Sequence, residues 1–482
     1  MKQIPFALLV LIAGLSLAAC SNGASSSSIP YSPGARKVSS FSPLSSGSSP
    51  ISHIVLIVQE NRTMNNFFAT FPGANGSTTG YELVTGRKKK VTLKEVSLSG
   101  QHNLNHSYTG FLTAYHNGDM DGFGQVKFPS SGKPEKTAPY VYVNPSDIQP
   151  YWTMAEQYDL ANNMFATQGS ASFPAHQDLI RGGTCLSSAS ACSNPSASSV
   201  SIIDNLSYGA GAWGCDSAHG TVTSLITNNL QLERGDGPFP CTNAFPYYLY
   251  TYQTLRDLLD ARSLSWKYYT PALGTGGAIW NAFDVIAPVR YGSEWNTNVS
   301  SPETNIFTDI SNGALPSMSW VIPTGKNSDH PEKCGCDYGP SWVASVVNAI
   351  GNSQYWNNTA IIITWDDWGG FFDNVAPPLP RDNQGGPGLR VPLIVVSPYS
   401  RVGSGSQGGY ISNTFYEFGS IVRYIEDNFN LGRLGTTDGT SNSISDMLDY
   451  NQSPRQFQTI GSKYKKSFFM HQKPSNSPVD EQ

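Results

Sequence analysis

Two apolar runs in this chain lead directly into pairs of oxygen-bearing side chains. Residues 53–58 (HIVLIV) continue into Gln59-Glu60-Asn61-Arg62-Thr63, and residues 360–365 (AIIITW) into Asp366-Asp367-Trp368-Gly369-Gly370. Glu60, Asn61, Asp366 and Asp367 form a hard, oxygen-rich donor set of the kind that holds a divalent cation. Adjacent carboxylates at a strand end repel each other unless a cation neutralises them. Capping is the competing reading, since Asp and Asn also open helices and turns. A third segment, Gly169-Ser170-Ala171-Ser172-Phe173-Pro174-Ala175-His176, is a turn of small residues. It can expose the Ser172 hydroxyl with His176 nearby, or be a plain Ser/Pro loop. It is not Gly-x-Ser-x-Gly, so a nucleophile elbow is not supported.

Among eight histidines, His106 and His330 sit in polar loops beside expected strand ends, in Asn105-His106-Ser107 and Ser328-Asp329-His330-Pro331. Asp329 is a candidate to orient a histidine. His102, His116, His219 and His471 read as surface residues. No His-Glu-x-x-His spacing and no Walker-A loop occurs.

The elements that must position these groups follow from the hydrophobic pattern. Short runs at 53–58, 265–269, 318–322, 360–365 and 392–396 are apolar throughout rather than alternating. That pattern suits strands of a parallel sheet covered on both faces. Stretches at 252–261, 341–350 and 414–428 repeat apolar residues at helical spacing. Strands alternating with helices predict an α/β fold, a three-layer α/β/α sandwich with a mainly parallel central sheet. In such sheets the chemistry lies just past the carboxyl ends of the strands. Residues 194–242, rich in Gly and Ser, read as a loop insertion.

The 482 residues include 46 glycines and 32 prolines, and only 13% are charged, about half the usual share. With 12% aromatic residues and a net charge of −5, this excludes a coiled coil, a charged disordered tail and a basic nucleic-acid binder. A cationic start, about 14 apolar residues and Leu17-Ala18-Ala19-Cys20 resemble a bacterial lipoprotein signal. The expected organisation is a signal peptide over 1–19, a Ser/Gly/Pro-rich tether over 20–50, a catalytic domain over 51–466 and a tail over 467–482. Cys20 would carry a lipid anchor at the membrane, periplasmic or on the cell surface; an ordinary signal cut near Ala19 is the alternative. No later segment has the apolar length of a membrane span. Removing Cys20 from the seven cysteines leaves six for disulfides in an exported chain. Local pairs 185–192 and 215–241 are expected, and Cys334-Gly-Cys336 would be strained if bonded to itself.

Seven segments, in this order, resemble the bacterial phosphoesterase family that holds the non-haemolytic and haemolytic phospholipases C and an acid phosphatase branch. They are HIVLIVQENRTMNNFF (53–68), NHSYTGFLTAYHNGDMDGF (105–123), SASFPAHQ (170–177), SDHP (328–331), ITWDDWGGFFDNVAPP (363–378), GLRVPLIVVSPYSR (388–401) and FGSIVRYIEDNF (418–429). The resemblance implies an alkaline-phosphatase-like fold. It also implies a site in which Glu60, Asn61, Asp366 and Asp367 hold one divalent metal ion, with Ca, Mg, Mn, Zn and Fe all open. Ser172 falls at the family's Ser or Thr nucleophile, and His106 and His330 fall on histidines that line the phosphate pocket. The implied activity is phosphate-ester hydrolysis through a phosphoserine, with a phosphatase expected first and a phospholipase C as the alternative. A non-catalytic surface lipoprotein is a third reading. Three departures stand out: Asn65-Asn66 where the family often has Asp-His, Asn374 in place of a frequent His, and no evident partner for one further pocket histidine. The formylglycine signature of sulfatases is absent around Ser172.

Overall fold

The five apolar runs lie side by side in one eight-stranded sheet. In spatial order its strands are Val299–Ser300, Trp266–Tyr269, Met318–Val321, His53–Gln59, Thr359–Trp365, Leu393–Val396, Asp159–Ala161 and Tyr410–Ser412. The computed structural model describes residues 49–475 apart from 188–199, 208–212, 228–229, 234, 242–251, 332–337, 379–384 and 406. His53–Gln59 is central and parallel to both neighbours, pairing Ile54 with Met318 and with Ala360. The sheet is mainly parallel, as expected, but Leu393–Val396 runs antiparallel to both of its neighbours. Its four residues are buried, like those of the parallel strands. A strand covered on both faces is apolar whichever way it runs, so the pattern is blind to direction.

Helices cover the two faces. Gly339–Gly351 packs with Gln149–Gln157, Asn305–Ser311 and Lys466–Met470; Ser172–Arg181 packs with Phe418–Phe429 and Leu255–Ala261. Local chemistry shifts the boundaries by a few residues from the periodic runs. Leu255–Ala261 opens after Thr254, whose capping box with Asp257 ends the preceding extended segment. Phe418–Phe429 likewise opens on a Glu417/Ser420 box and closes on Asn430 in the left-handed region. Gly339–Gly351 begins early because Pro340 fits a first turn, where its missing N–H costs nothing.

The abundant aromatics fill this interior. Trp266, Trp280, Trp320, Trp342, Trp365 and Trp368 are all fully buried.

Two expectations are corrected. Within the supposed loop insertion, Val200–Ser207, Val222–Thr227 and Leu232–Glu233 form an antiparallel three-stranded sheet. Its β-branched runs are short and set among Gly and Ser, which masks them in a composition reading. The expected tail begins inside a packed helix, Lys466–Met470, whose Phe469 is 2% exposed and meets Trp342 edge-on at 5.4 Å. Cys215 and Cys241 are bonded, as expected. Cys185 is also in a disulfide, while Cys20, Cys192, Cys334 and Cys336 lie outside the described residues. Among the described residues, no helix is long and apolar enough to cross a membrane.

Burial of Phe469 makes the end of the domain part of its core. Phe469→Ala is expected to lower stability by about 3 kcal/mol in chemical denaturation. A change within error would mean that the domain ends before this helix.

Candidate active site

The central strand ends at Gln59, whose side chain ties the strand end to the loop of Asn327 and Asp329. Its Oε1 accepts from the Asp329 N–H at 2.9 Å, and its Nε2 donates to the Asn327 carbonyl at 3.2 Å. The chain then turns sharply, with Asn61 at φ 57°. This conformation aims the Asn61 N–H at Asp366 Oδ1, 2.8 Å away. Gly369 comes down on the same turn: a Cβ there would lie 2.3 Å from the Asn61 carbonyl oxygen. Its own φ of 57° also favours glycine. Asp367 is braced by the Gly369 N–H, which donates to Oδ1 at 2.7 Å. That leaves Oδ2 for Ser172.

Ser172 opens its helix at the first helical position, after Ala171. Its hydroxyl donates to Asp367 Oδ2 at 3.1 Å and lies 3.4 Å from Asn61 Oδ1. One turn later on the same helix face, His176 Nε2 is 2.9 Å from Glu60 Oε1 and 3.9 Å from Asp366 Oδ2. His106 Nε2 stands 4.0 Å from Asp367 Oδ2. The other His106 nitrogen, Nδ1, is 2.8 Å from the Leu104 carbonyl and carries a proton toward it, which leaves Nε2 aimed at the site. Glu60, Asn61, Asp366, Asp367, Ser172 and His106 therefore converge, all fully buried. His330 is joined to them through Trp280, whose ring is stacked 6.5 Å from His176 and lies 5.9 Å from His330.

Three carboxylates gathered away from water call for positive charge. Arg62, the next residue, does not supply it. Its guanidinium donates twice to the Asp329 carbonyl, at 2.7 and 2.9 Å, and to Asn66 and Gln101. Burial lowers its pKa to about 10. The donor atoms of Glu60, His176 and Asp366 lie within 4.8 Å of one another, and Asp366 Oδ2 is buried without a hydrogen bond. These residues fit a divalent cation: hard oxygens, one imidazole and an uncompensated carboxylate oxygen facing the same space.

His176 is the residue that sequence reasoning left out of the site. The signal was its position four residues after Ser172, which only a helix turns into shared facing. A second group was hidden in the supposed insertion. Asp204, at φ 59° in a bulge of Val200–Ser207, accepts from the Ser170 hydroxyl at 3.1 Å and the Tyr108 N–H at 2.5 Å. Asn205 Oδ1 accepts from the Phe173 N–H at 2.9 Å. This bulge thus braces the loop before Ser172, the residue after it and the helix that follows His106.

The departures from the family pattern serve as scaffold. Asn65 Oδ1 accepts from the Ser77 N–H at 2.7 Å, and Asn66 Oδ1 accepts from Arg62. Asn374 Oδ1 accepts from Arg390, which also forks onto Asp373 at 2.9 and 3.2 Å. Asp329 does not orient a histidine. Its Oδ2 accepts from Tyr151 at 2.8 Å and from Trp365 Nε1 at 3.0 Å.

Burial is the main cause that raises the Asp329 carboxyl to about 6, with Arg62 opposing it. A carboxyl raised on folding contributes stability that is full below its unfolded value, about 4, and is lost as pH rises through about 6. Asp329→Asn keeps an acceptor for Tyr151 and Trp365. It is expected to flatten the fall in stability between about pH 4 and 6, read from thermal unfolding across that window; an unchanged slope would place the cause elsewhere.

Residues 51–432 match the Phosphoesterase family. The chain is 22% identical to a non-hemolytic phospholipase C of Pseudomonas aeruginosa, over 79% of this chain and 54% of that one. It is 22% identical to phospholipase C B of Mycobacterium tuberculosis, over 82% and 77%. A non-specific phospholipase C6 of Arabidopsis thaliana is 31% identical over 33% of this chain and 35% of its own. The chain spans about half the length of the Pseudomonas relative. Among solved structures, an alkaline phosphatase superfamily protein from Vibrio parahaemolyticus aligns over 84% of this chain and 74% of its own, with 12% identity and a TM-score of 0.33. With that match over most of its length, the chain belongs to the Phosphoesterase family.

Proposed function

We propose that this protein hydrolyses phosphate esters in two steps through Ser172. The observation that carries the reading is the Ser172 hydroxyl, held by Asp367 Oδ2 and close to Asn61 Oδ1, beside the Glu60, His176 and Asp366 donor group. In the first step Ser172 Oγ bonds to phosphorus as the ester oxygen departs with its electron pair. The serine proton leaves toward Asp367, and His106 and His330 stabilise the phosphoryl oxygens or protonate the departing alcohol. In the second step water attacks the phosphoserine and releases phosphate and the serine hydroxyl. Glu60, Asn61, Asp366 and Asp367, with His176 beside them, would hold a divalent cation, which would supply charge neutralisation for the phosphoryl and serine oxygens.

The helix start contributes little on its own. Pro174 has no N–H to offer, and Asn205 takes that of Phe173. Stabilisation of the phosphoryl charge therefore falls on the cation site and the histidines.

A phosphomonoesterase is the first reading, because a serine rather than a threonine stands at position 172. A phospholipase C is the second, favoured by relatives that match across most of the chain and are named for that activity. Export and anchoring through Cys20 belong to the same proposal and are checked by mass spectrometry of the mature N-terminus.

Ser172→Ala and Asp366→Asn are each expected to lower turnover of p-nitrophenyl phosphate or p-nitrophenyl phosphorylcholine by about a thousandfold or more. Near-normal turnover by either variant would refute the mechanism, and no turnover by the unaltered protein would favour the non-catalytic reading. Chelation followed by dialysis is expected to abolish activity, with recovery on adding back one of the candidate divalent ions. Parallel assays on a phosphomonoester and on phosphatidylcholine separate the two readings.

A further inference from the structure

The strongest charge feature of the chain lies outside the site. Arg87, Lys88, Lys89 and Lys90 are consecutive in a protein whose net charge is −5, and all four are exposed. They form most of the second strand of a hairpin, Thr79–Val84 paired antiparallel with Arg87–Thr92. Alternation along the strands places Tyr81, Lys88 and Lys90 on one face. Glu82, Val84, Arg87 and Lys89 share the other. Two acids temper the charge: Asp119 is 3.4 Å from Lys88, and Glu82 is 3.6 Å from Lys89. Arg87 and Lys90 make no ion pair among the described residues.

The hairpin is also amphipathic. Tyr81 is 48% exposed and Val84 38% exposed, and Lys88 Nζ lies 5.0 Å from the Tyr81 ring centre. Cations next to an exposed tyrosine and an exposed aliphatic side chain suit a lipid–water interface. Because Tyr81 and Val84 lie on opposite faces, the hairpin meets such a surface by its tip, where Val84 pairs with Arg87 beside the turn: the cations meet anionic headgroups while the valine enters the boundary layer. A nucleic acid or other soluble polyanion would use the cations and leave Val84 without a role.

The base of the hairpin is fastened to the catalytic segment. Gly80 packs on Phe372 so closely that a Cβ would lie 2.5 Å from the ring. Phe372 follows Asp367 by five residues. The Leu83 N–H donates to the Asp121 carbonyl at 2.8 Å, and the Tyr140 hydroxyl donates to the Tyr81 carbonyl at 2.9 Å. Whatever the hairpin rests on, the segment carrying Asp366 and Asp367 is brought with it.

We infer that the hairpin of residues 79–92 is a docking arm for an anionic phospholipid surface, one that delivers the Ser172 site to phosphate esters held in that surface. The delivery rests on the hydrolase reading above; the docking does not.

The test compares the full chain with a variant carrying Arg87→Gln, Lys88→Gln, Lys89→Gln and Lys90→Gln. Both also carry Cys20→Ala, so that no lipid anchor contributes. The unaltered hairpin is expected to sediment with phosphatidylcholine vesicles containing phosphatidylglycerol, to ignore vesicles of phosphatidylcholine alone, and to be released by salt. The fourfold variant is expected to bind at least about 25-fold more weakly, taking about fivefold for each of the two cations that make no ion pair. Its turnover of p-nitrophenyl phosphate in solution should be unchanged. The pair Arg87→Gln with Lys90→Gln, which leaves both ion pairs in place, should show most of the same loss. An unaltered hairpin that does not bind the anionic vesicles, or a fourfold variant that binds them equally well, overturns the proposal. So does retention on double-stranded DNA with no vesicle binding, in favour of a polyanion partner. Absence of soluble turnover in the unaltered protein would defeat the hydrolase reading and leave the vesicle result to decide docking by itself.

Discussion

Glu60, Asp366 and Asp367 are fully buried and close to one another, and the rest of the site is arranged around that fact. A carboxylate moved from water into a protein interior costs several kcal/mol unless charge or hydrogen bonds compensate it. Three together raise that demand because each also disfavours ionisation of the others. The protein meets part of it with backbone N–H groups, from Asn61 to Asp366 and from Gly369 to Asp367. It meets another part with the Ser172 hydroxyl and the His176 ring. What remains, the unsatisfied Asp366 oxygen above all, is the space a cation fits. The same unmet demand holds the serine hydroxyl beside the charge it would need to react.

Such a site is stable only if the loops that carry it cannot relax apart. Three braces act at different points. Gln59 joins the end of the central strand to the loop of Asp329 and His330. Arg390 and Asp373, both fully buried, form a forked ion pair whose remaining donors reach the Asn162 and Asn75 carbonyls, so the pair is well compensated. Asp204 holds the Ser170 hydroxyl and Asn205 the Phe173 N–H, on either side of Ser172, from a separate small sheet. The asparagines at 65, 66 and 374 belong to this bracing. Losing histidines there leaves the serine and its neighbours in place, since among the described residues the histidines beside the site carboxylates are 106 and 176.

Much of this was legible in one dimension. The five apolar runs are five strands of the sheet, and the two that end in Glu60-Asn61 and Asp366-Asp367 are adjacent, pairing over residues 53–59 and 359–365. Their side chains were destined to meet because parallel neighbours end at the same edge. Strands of two or three residues, such as Asp159–Ala161 and Val299–Ser300, carried too little pattern to be seen. The antiparallel direction of Leu393–Val396 was invisible for the same physical reason that made the strand conspicuous: burial on both faces removes any alternation.

Residue types and their order were enough to predict the α/β class and the oxygen-rich strand ends, because burial is written in local chemistry; Ser172 was reached through the family resemblance. Membership of the Phosphoesterase family rests on the same order of segments. Three matters needed the folded chain. His176 joins Glu60 across 116 positions only because a helix turns it to the face of Ser172. Asp329, which reads in sequence as a partner for His330, is claimed instead by Tyr151 and Trp365 from other elements. The small sheet formed by Val200–Ser207, Val222–Thr227 and Leu232–Glu233 proves to brace the residues on either side of Ser172. In each case the deciding quantity is a distance between residues far apart in the chain, and no local pattern encodes which of several available partners a buried polar group will reach.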